Sequence, residues 1–327
     1  MNKKAPYLLV LVLLLLMGCA VNNAAPTVET PPAIVGATSP EPVEHKTTIY
    51  APASTSSVPV VLAASKMKNI DLVLFTNQSQ ANTLFMRGDV SILVTGLSVG
   101  VEMYNNGAPI RQINSFVSGL SYLVTSGEPV GSFADLKGRE IYLPFKGSPL
   151  EEVSIYFCQQ SGLKWNEDVK PVYSPFESSV ELLKQGKADN VLLPEPNVTL
   201  AEGKGKAKVT LSYFDEWNRL NPEDEGYPQV GALVQAEWAE THADEIKLFN
   251  QFLAEAIVSV QSDPQGAVEA VKSQYSIPSA VLQKSLGRTH YTMLINEGLQ
   301  QTVNAYYQKI GKPLNEKFSA FFYRTDH

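Results

Sequence analysis

The sequence predicts an α/β fold, and three observations predict it. From Lys46 onward, short runs of β-branched and apolar residues alternate with helical patterns, as they do where crossover helices join parallel strands. Beyond Trp238 the pattern turns mainly helical. Hydrophobic content of 44% and charged content of 18% are those of a chain that buries a core.

The first strand is expected at 47–51, where threonines, Ile49 and Tyr50 suit a pleated surface. Further strands follow at 71–75, 91–95, 112–117 and 121–125, then at 140–143, 169–173, 190–193, 208–212 and 229–235, most of them separated by a helix. Ser148-Pro149-Leu150-Glu151 marks one helix start, with a capping hydroxyl, a proline at the first helical position and a glutamate at the third. Ser174-Pro175-Phe176-Glu177 repeats the arrangement, and Gly162 and Gly186 are the expected stops of the two helices. Closing helices are expected at 239–262, 263–274, 278–286 and 296–310. Residues 318–327 match no element. No repeat of solenoid period occurs.

The N-terminus reads as a lipoprotein signal peptide over 1–18. Asn2, Lys3 and Lys4 precede an apolar run of eleven residues from Tyr7 to Met17, followed by Gly18. A membrane-spanning helix needs about 20 residues, so this run is too short to span. Leu16-Met17-Gly18-Cys19 resembles a lipobox, which makes Cys19 the expected lipid anchor and places the mature chain in the cell envelope, on the extracytoplasmic side of a membrane. Residues 19–45 carry five prolines and neither lysine nor arginine, the composition of a flexible tether. The only other cysteine is Cys158, so the mature chain has no pair for an internal disulfide and depends on its core. A net charge of −7 without a basic cluster excludes nucleic acid as a partner.

Several segments, in order, resemble one family. Gly88-Asp89-Val90-Ser91-Ile92, Phe133-Ala134-Asp135-Leu136-Lys137-Gly138, Gln185-Gly186-Lys187-Ala188-Asp189 with Pro194-Glu195-Pro196, and Asp263-Pro264-Gln265-Gly266-Ala267 are similar to segments of type II periplasmic binding proteins of ABC importers. The resemblance is to the branch that includes sulfonate-, nitrate- and thiamine-precursor-binding proteins, in lipoprotein form. It spans roughly 46–314. It implies a two-lobed α/β fold, each lobe a mixed sheet flanked by helices, with a ligand cleft between the lobes and closure by a hinge. Lobe one would be 46–122 and 229–327, lobe two 123–228. The implied partners are a small solute, an ABC permease and its ATPase, with the protein itself a monomer. No cofactor or metal is implied.

In open α/β sheets a ligand lies at the C-terminal ends of strands. Four loops meet that condition. Ser54, Thr55 and Ser56 follow the first strand and are read either as ligand contacts or as turn and capping residues. Thr95 and Gly96 end the third, where the glycine permits close approach to a ligand or a tight turn. Lys146, Gly147 and Ser148 precede a capped helix. Glu195, between two prolines, has three readings: acceptor for an amine or ring N–H, partner of Lys146 across the cleft, or a helix-start acid. Hydroxyls and helix starts favour a sulfonate-like anion; Glu195 with nearby aromatics favours an amine-bearing heterocycle. The absence of arginine from all four loops tilts the balance toward the heterocycle.

An enzyme is not expected. His45, His242, His290 and His327 form no metal-ligand spacing, and no nucleophile elbow or phosphate loop occurs. The alternative to a transport role is a ligand-sensing lipoprotein that has this fold but no transporter.

Overall fold

A computed structural model describes residues 46–202 and 205–324. The signal peptide, Cys19 and the tether expected over 1–45 lie outside the described residues, as do 325–327. In the first part of the chain, β1 (Thr47–Pro52), α1 (Val58–Ala64), β2 (Ile70–Phe75), α2 (Gln78–Met86), β3 (Ile92–Gly96) and α3 (Leu97–Asn105) alternate before β4 (Ile110–Gly119). The middle runs through β5 (Ser121–Thr125), β6 (Glu140–Leu143), α4 (Pro149–Gln160), β7 (Lys170–Tyr173), α5 (Phe176–Lys184), β8 (Asn190–Pro194), α6 (Asn197–Ala201), β9 (Lys208–Ser212) and α7 (Tyr213–Leu220). The last part holds β10 (Val230–Gln235), α8 (Ala236–Thr241), α9 (Ala243–Ser262), α10 (Pro264–Val271), α11 (Ser279–Leu286), β11 (His290–Leu294) and α12 (Asn296–Lys309).

Two mixed sheets result, in the orders β11-β4-β10-β3-β1-β2 and β7-β6-β8-β5-β9. Each has three parallel strands next to an antiparallel one. In the first sheet that strand is β10, which pairs with β3 from Val230↔Gly96 to Val234↔Ile92. In the second it is β5, which pairs with β8 from Ser121↔Pro194 to Thr125↔Asn190. Each of these strands is the first laid down after the chain crosses between sheets. The chain therefore makes a two-lobed molecule with two crossings, one at Leu120 and one before Val230.

Burial follows from the layers. β3, β5 and β8 are covered on both faces and read as nearly continuous apolar runs, whereas β1 alternates between buried and half-buried residues. One apolar cluster passes from lobe to lobe without a break. It joins Phe85, Leu93 and Leu97 of the first lobe, Phe133, Phe157 and Trp217 of the second, and Leu299, Tyr306 and Tyr307 of α12. At its centre the Trp217 ring lies 5.3 Å from Tyr156, 5.3 Å from Tyr227 and 5.4 Å from Tyr306, between centroids. The far end of α12 is tied to the second lobe by charge, Lys309 to Glu223 and Asp224 at 2.8 and 2.7 Å, and Lys312 follows the helix to reach Glu152 at 2.8 Å.

Four expectations are corrected. The helix expected over 239–262 is two helices, broken at His242, whose ring stacks on Trp238 with centroids 4.3 Å apart while its backbone leaves the helical region. The segment over 263–274 is α-helical only to Val271 and closes as a 3-10 turn, Lys272–Gln274. Ser174 does not cap: Pro175 keeps an extended ψ of 151°, so α5 starts one residue later than at the Ser148 box. A strand exists where none was expected, β11, a short irregular partner of β4. The unassigned tail includes a 3-10 segment, Glu316–Phe321, whose Phe318 and Phe321 rings each lie 5.1 Å from Tyr104.

Candidate functional site

The ends of β1, β3, β6 and β8 meet along the seam between the lobes. After β1 the chain makes a 3-10 turn, Thr55–Ser57, whose three residues are buried. Its hydroxyls are paired with other groups of the protein. Ser54 and Ser56 share a hydrogen bond of 2.7 Å, Ser57 donates to the Pro52 carbonyl, and Thr55 bonds Thr289 at 2.9 Å. Two tyrosines pin the turn from behind, Tyr275 donating to the Ser54 carbonyl and Tyr291 to that of Thr55.

At the end of β3, Thr95 is buried and its hydroxyl has no hydrogen-bond partner. Gly96 is glycine for a readable reason: a Cβ there would stand 3.2 Å from Cγ of Pro149, the first residue of α4 in the other lobe. The Leu97 N–H donates to the Gln229 carbonyl, and the Gln229 side chain bonds Leu120 N–H and the Ser121 hydroxyl. One glutamine thus ties both crossings to the end of β3.

After β6, Lys146 and Gly147 are exposed and Phe145 is half exposed. Ser148 is fully buried and caps α4, accepting from the Glu151 N–H at 3.2 Å. The residue that organises this loop is Glu151. Its buried carboxylate accepts from the Gly147 N–H, from Trp165 Nε1 at 3.1 Å and from the Tyr173 hydroxyl at 2.6 Å. Burial and the Glu151 carboxylate push the Tyr173 phenol up to about 12. Sequence reasoning gave Glu151 only a capping role, since neither Trp165 nor Tyr173 is near it in the chain.

Glu195 lies fully buried after β8, before a cis peptide to Pro196. Its carboxylate accepts from the Thr199 N–H at 3.1 Å and the Thr199 hydroxyl at 3.0 Å. Its cationic partner is Arg288 Nη1 at 3.5 Å rather than Lys146. Arg288 comes from a fifth loop, between α11 and β11, which sequence reasoning missed because β11 itself was missed. The signal present was Gly287, a helix stop followed directly by an arginine. Arg288 Nη2 also binds Glu202, at 2.8 Å to Oε2, and Lys284 meets the same carboxylate at 2.6 Å. Burial raises the Glu202 pKa, but hydrogen bonds from Lys284 and Arg288 outweigh it and hold the carboxyl below its ordinary range. The Tyr122 hydroxyl donates to the Arg288 carbonyl and is pushed up to about 12 by burial and by Glu195.

The nine residues singled out from the sequence therefore fall into two groups. Ser54, Thr55, Ser56, Thr95, Gly96, Ser148 and Glu195 lie at the seam and are mostly engaged with the protein itself, while Lys146 and Gly147 face solvent. A recess of about 600 Å³ between α9 and the C-terminal segment, lined in part by Arg111, Lys247 and Tyr323, includes none of them. Its lining includes no residue of the loops after β1, β3, β6 and β8. Among the described residues, no group of three His, Cys, Asp or Glu is placed to hold a metal.

The model of the family described as "NMT1/THI5 like" matches residues 66–267, more than half of the chain. The chain belongs to the NMT1/THI5-like family. Its fold is that of the periplasmic binding proteins. The ligand-binding component of an ABC-type import system from Staphylococcus aureus, solved with zinc bound, is similar over 86% of this chain and 97% of its own, with 14% identity and a TM-score of 0.70. The periplasmic aliphatic sulphonate-binding protein SsuA of Escherichia coli is similar over 85% and 92%, with 20% identity and a TM-score of 0.68. The alkanesulfonate-binding SsuA of Xanthomonas axonopodis pv. citri, bound to MOPS, covers 85% and 98%, with 18% identity and a TM-score of 0.66. No curated protein matches the sequence. Each of these three structures is a ligand- or sulfonate-binding protein.

Proposed function

We propose that this chain is the solute-capturing lipoprotein of an ABC importer, which takes a small solute between its lobes and delivers it to a permease driven by an ATPase. One observation carries the reading. In a chain of the NMT1/THI5-like family, the loop after β3 meets the start of the helix that follows β6 across the two lobes, Gly96 against Pro149. A seam of this kind opens and closes by rotation at two strand crossings.

For the solute, the geometry favours a sulfonate-like anion over the amine-bearing heterocycle. Glu195 is occupied by Thr199 and neutralised by Arg288, so it offers an amine little. The first turns of α1 and α3 carry no acidic residue and no side-chain cap, and Lys146 is exposed beside the seam. Those features stabilise negative charge. Titration calorimetry with short alkanesulfonates and with an aminopyrimidine decides between them. Sulfonate binding is the expected result, with a stability gain of about 2.7 kcal/mol at a hundredfold excess over Kd. Binding of the pyrimidine alone overturns the solute assignment. Retention of sulfonate uptake by cells lacking the protein overturns the transport role.

The chain is anchored through lipid at Cys19, on the extracytoplasmic side of a membrane, and acts as a monomer on its tether. Cys19→Ala is expected to release it from the membrane fraction and to abolish acyl labelling.

A further inference from the structure

Arg288 and Thr289, between α11 and β11, and His290, the first residue of β11, contact both lobes. Arg288 leaves the first lobe to meet Glu195 and Glu202 of the second, and its own carbonyl receives the Tyr122 hydroxyl. Thr289 faces the other way, toward the loop after β1. Its hydroxyl is 3.0 Å from the Ser285 carbonyl, to which it donates, and so the Thr55 hydroxyl is the donor in their 2.9 Å bond. His290 stacks flat on Phe214 of α7, with centroids 3.6 Å apart and ring planes 1° from parallel.

The charges in this cluster balance. Arg288 and Lys284 of the first lobe face Glu195 and Glu202 of the second, two cations against two anions. With Asp215 of α7 also acting on His290 and Tyr122, the cluster has no surplus positive charge with which to draw in an anion. It does have a large stake in closure. When the lobes part, Glu195, fully buried, keeps only its two bonds from Thr199, and Glu202 loses both cations. The bond from Arg288 to Glu202 is charge-assisted and among the stronger polar contacts, while Arg288 Nη1 meets Glu195 as an ion pair without a hydrogen bond; separating a buried carboxylate from its cation is costly.

We propose that the Arg288–His290 turn is an interlobe latch, in which Arg288 is the positioning residue that holds the lobes closed and Thr289 ties that state to the solute loop at Thr55. The latch contacts form without any solute. A solute that contacts the loop after β1 meets a turn already tied to Thr289, and through it to Arg288. The effect on solute affinity rests on the binding role proposed above; the effect on closure does not.

Amide hydrogen exchange of the full chain, without added solute, tests it. In Arg288→Gln, exchange in the segments 195–202 and 286–291 is expected to accelerate by roughly tenfold or more, the scale of one lost charge-assisted bond. Protection in the β3 and β8 interiors is expected to stay as it was. The conservative Arg288→Lys, which keeps a cation between Glu195 and Glu202, is expected to keep part of the protection that Arg288→Gln loses, a difference that a mere packing role for Arg288 does not produce. Unchanged protection at the seam in Arg288→Gln overturns the latch. So does acceleration spread evenly over the whole chain in both variants. Because no solute is present, a failed latch leaves the transport reading standing, and a failed solute screen leaves the latch standing.

Discussion

At the scale of single residues, three positions show how closely side chains are fitted. Gly231 of β10 lies against Asn114 and Gln112 of β4, and a Cβ would run into the Asn114 carbonyl. Gly231→Ala is expected to cost about 1–3 kcal/mol, measured by urea unfolding, because the Asn114 backbone, together with the Gln112 side chain, occupies the space. Cys158 is fully buried in α4, where burial raises its thiol to about 11. It is expected to resist thiol reagents at pH 8 in the native protein and to react fully once unfolded; native labelling at the free-thiol rate contradicts this. The third position, Glu195, shows where reading a sequence stops. Its stiff setting between two prolines was legible, but its partner was not, since Arg288 reaches it from a distant part of the chain.

At the scale of elements, local signals served well and long-range ones poorly. All ten expected strands are present, because each carries its own β-branched or apolar run. The caps and stops around α4 also hold: Ser148 accepts from the backbone, and Gly162 and Gly186 have positive φ after α4 and α5. β11 escaped notice because it is defined by pairing with β4, with breaks in register, and not by a pattern of its own. That strand begins at His290, whose pKa burial lowers from 6.5, with Asp215 of α7 opposing. Arg288 of the same turn also faces this seam, as does Tyr122 of β5. A histidine with a depressed folded-state pKa contributes stability that is present above about pH 6.5 and is lost as pH falls through the folded value. The wild type is therefore expected to lose more stability between pH 7.5 and pH 5 than His290→Phe, which keeps a ring against Phe214. Equal losses in the two proteins, by urea unfolding at each pH, contradict the assignment.

At the scale of the whole molecule, the continuous apolar cluster makes the two lobes one cooperative body even though they are two sheets. Trp217→Ala, at the junction of Tyr156, Tyr227 and Tyr306, is expected to cost about 3–5 kcal/mol and to leave a single calorimetric transition. Two separated transitions in the wild type contradict the shared core. The sequence by itself determined the alternation of strands and helices, the helix boundaries marked by proline and glycine, and the segments that signal the family. Each of these depends on residues within a few positions of one another, where spacing alone sets the face or the cap. Tertiary structure alone decided which residues meet at the seam: Glu151 with Trp165 and Tyr173, Thr55 with Thr289, and Arg288 with Glu195 and Glu202. Those contacts exist only after two sheets and a returning chain have packed, and their energy comes from burial and charge pairing that no local pattern records.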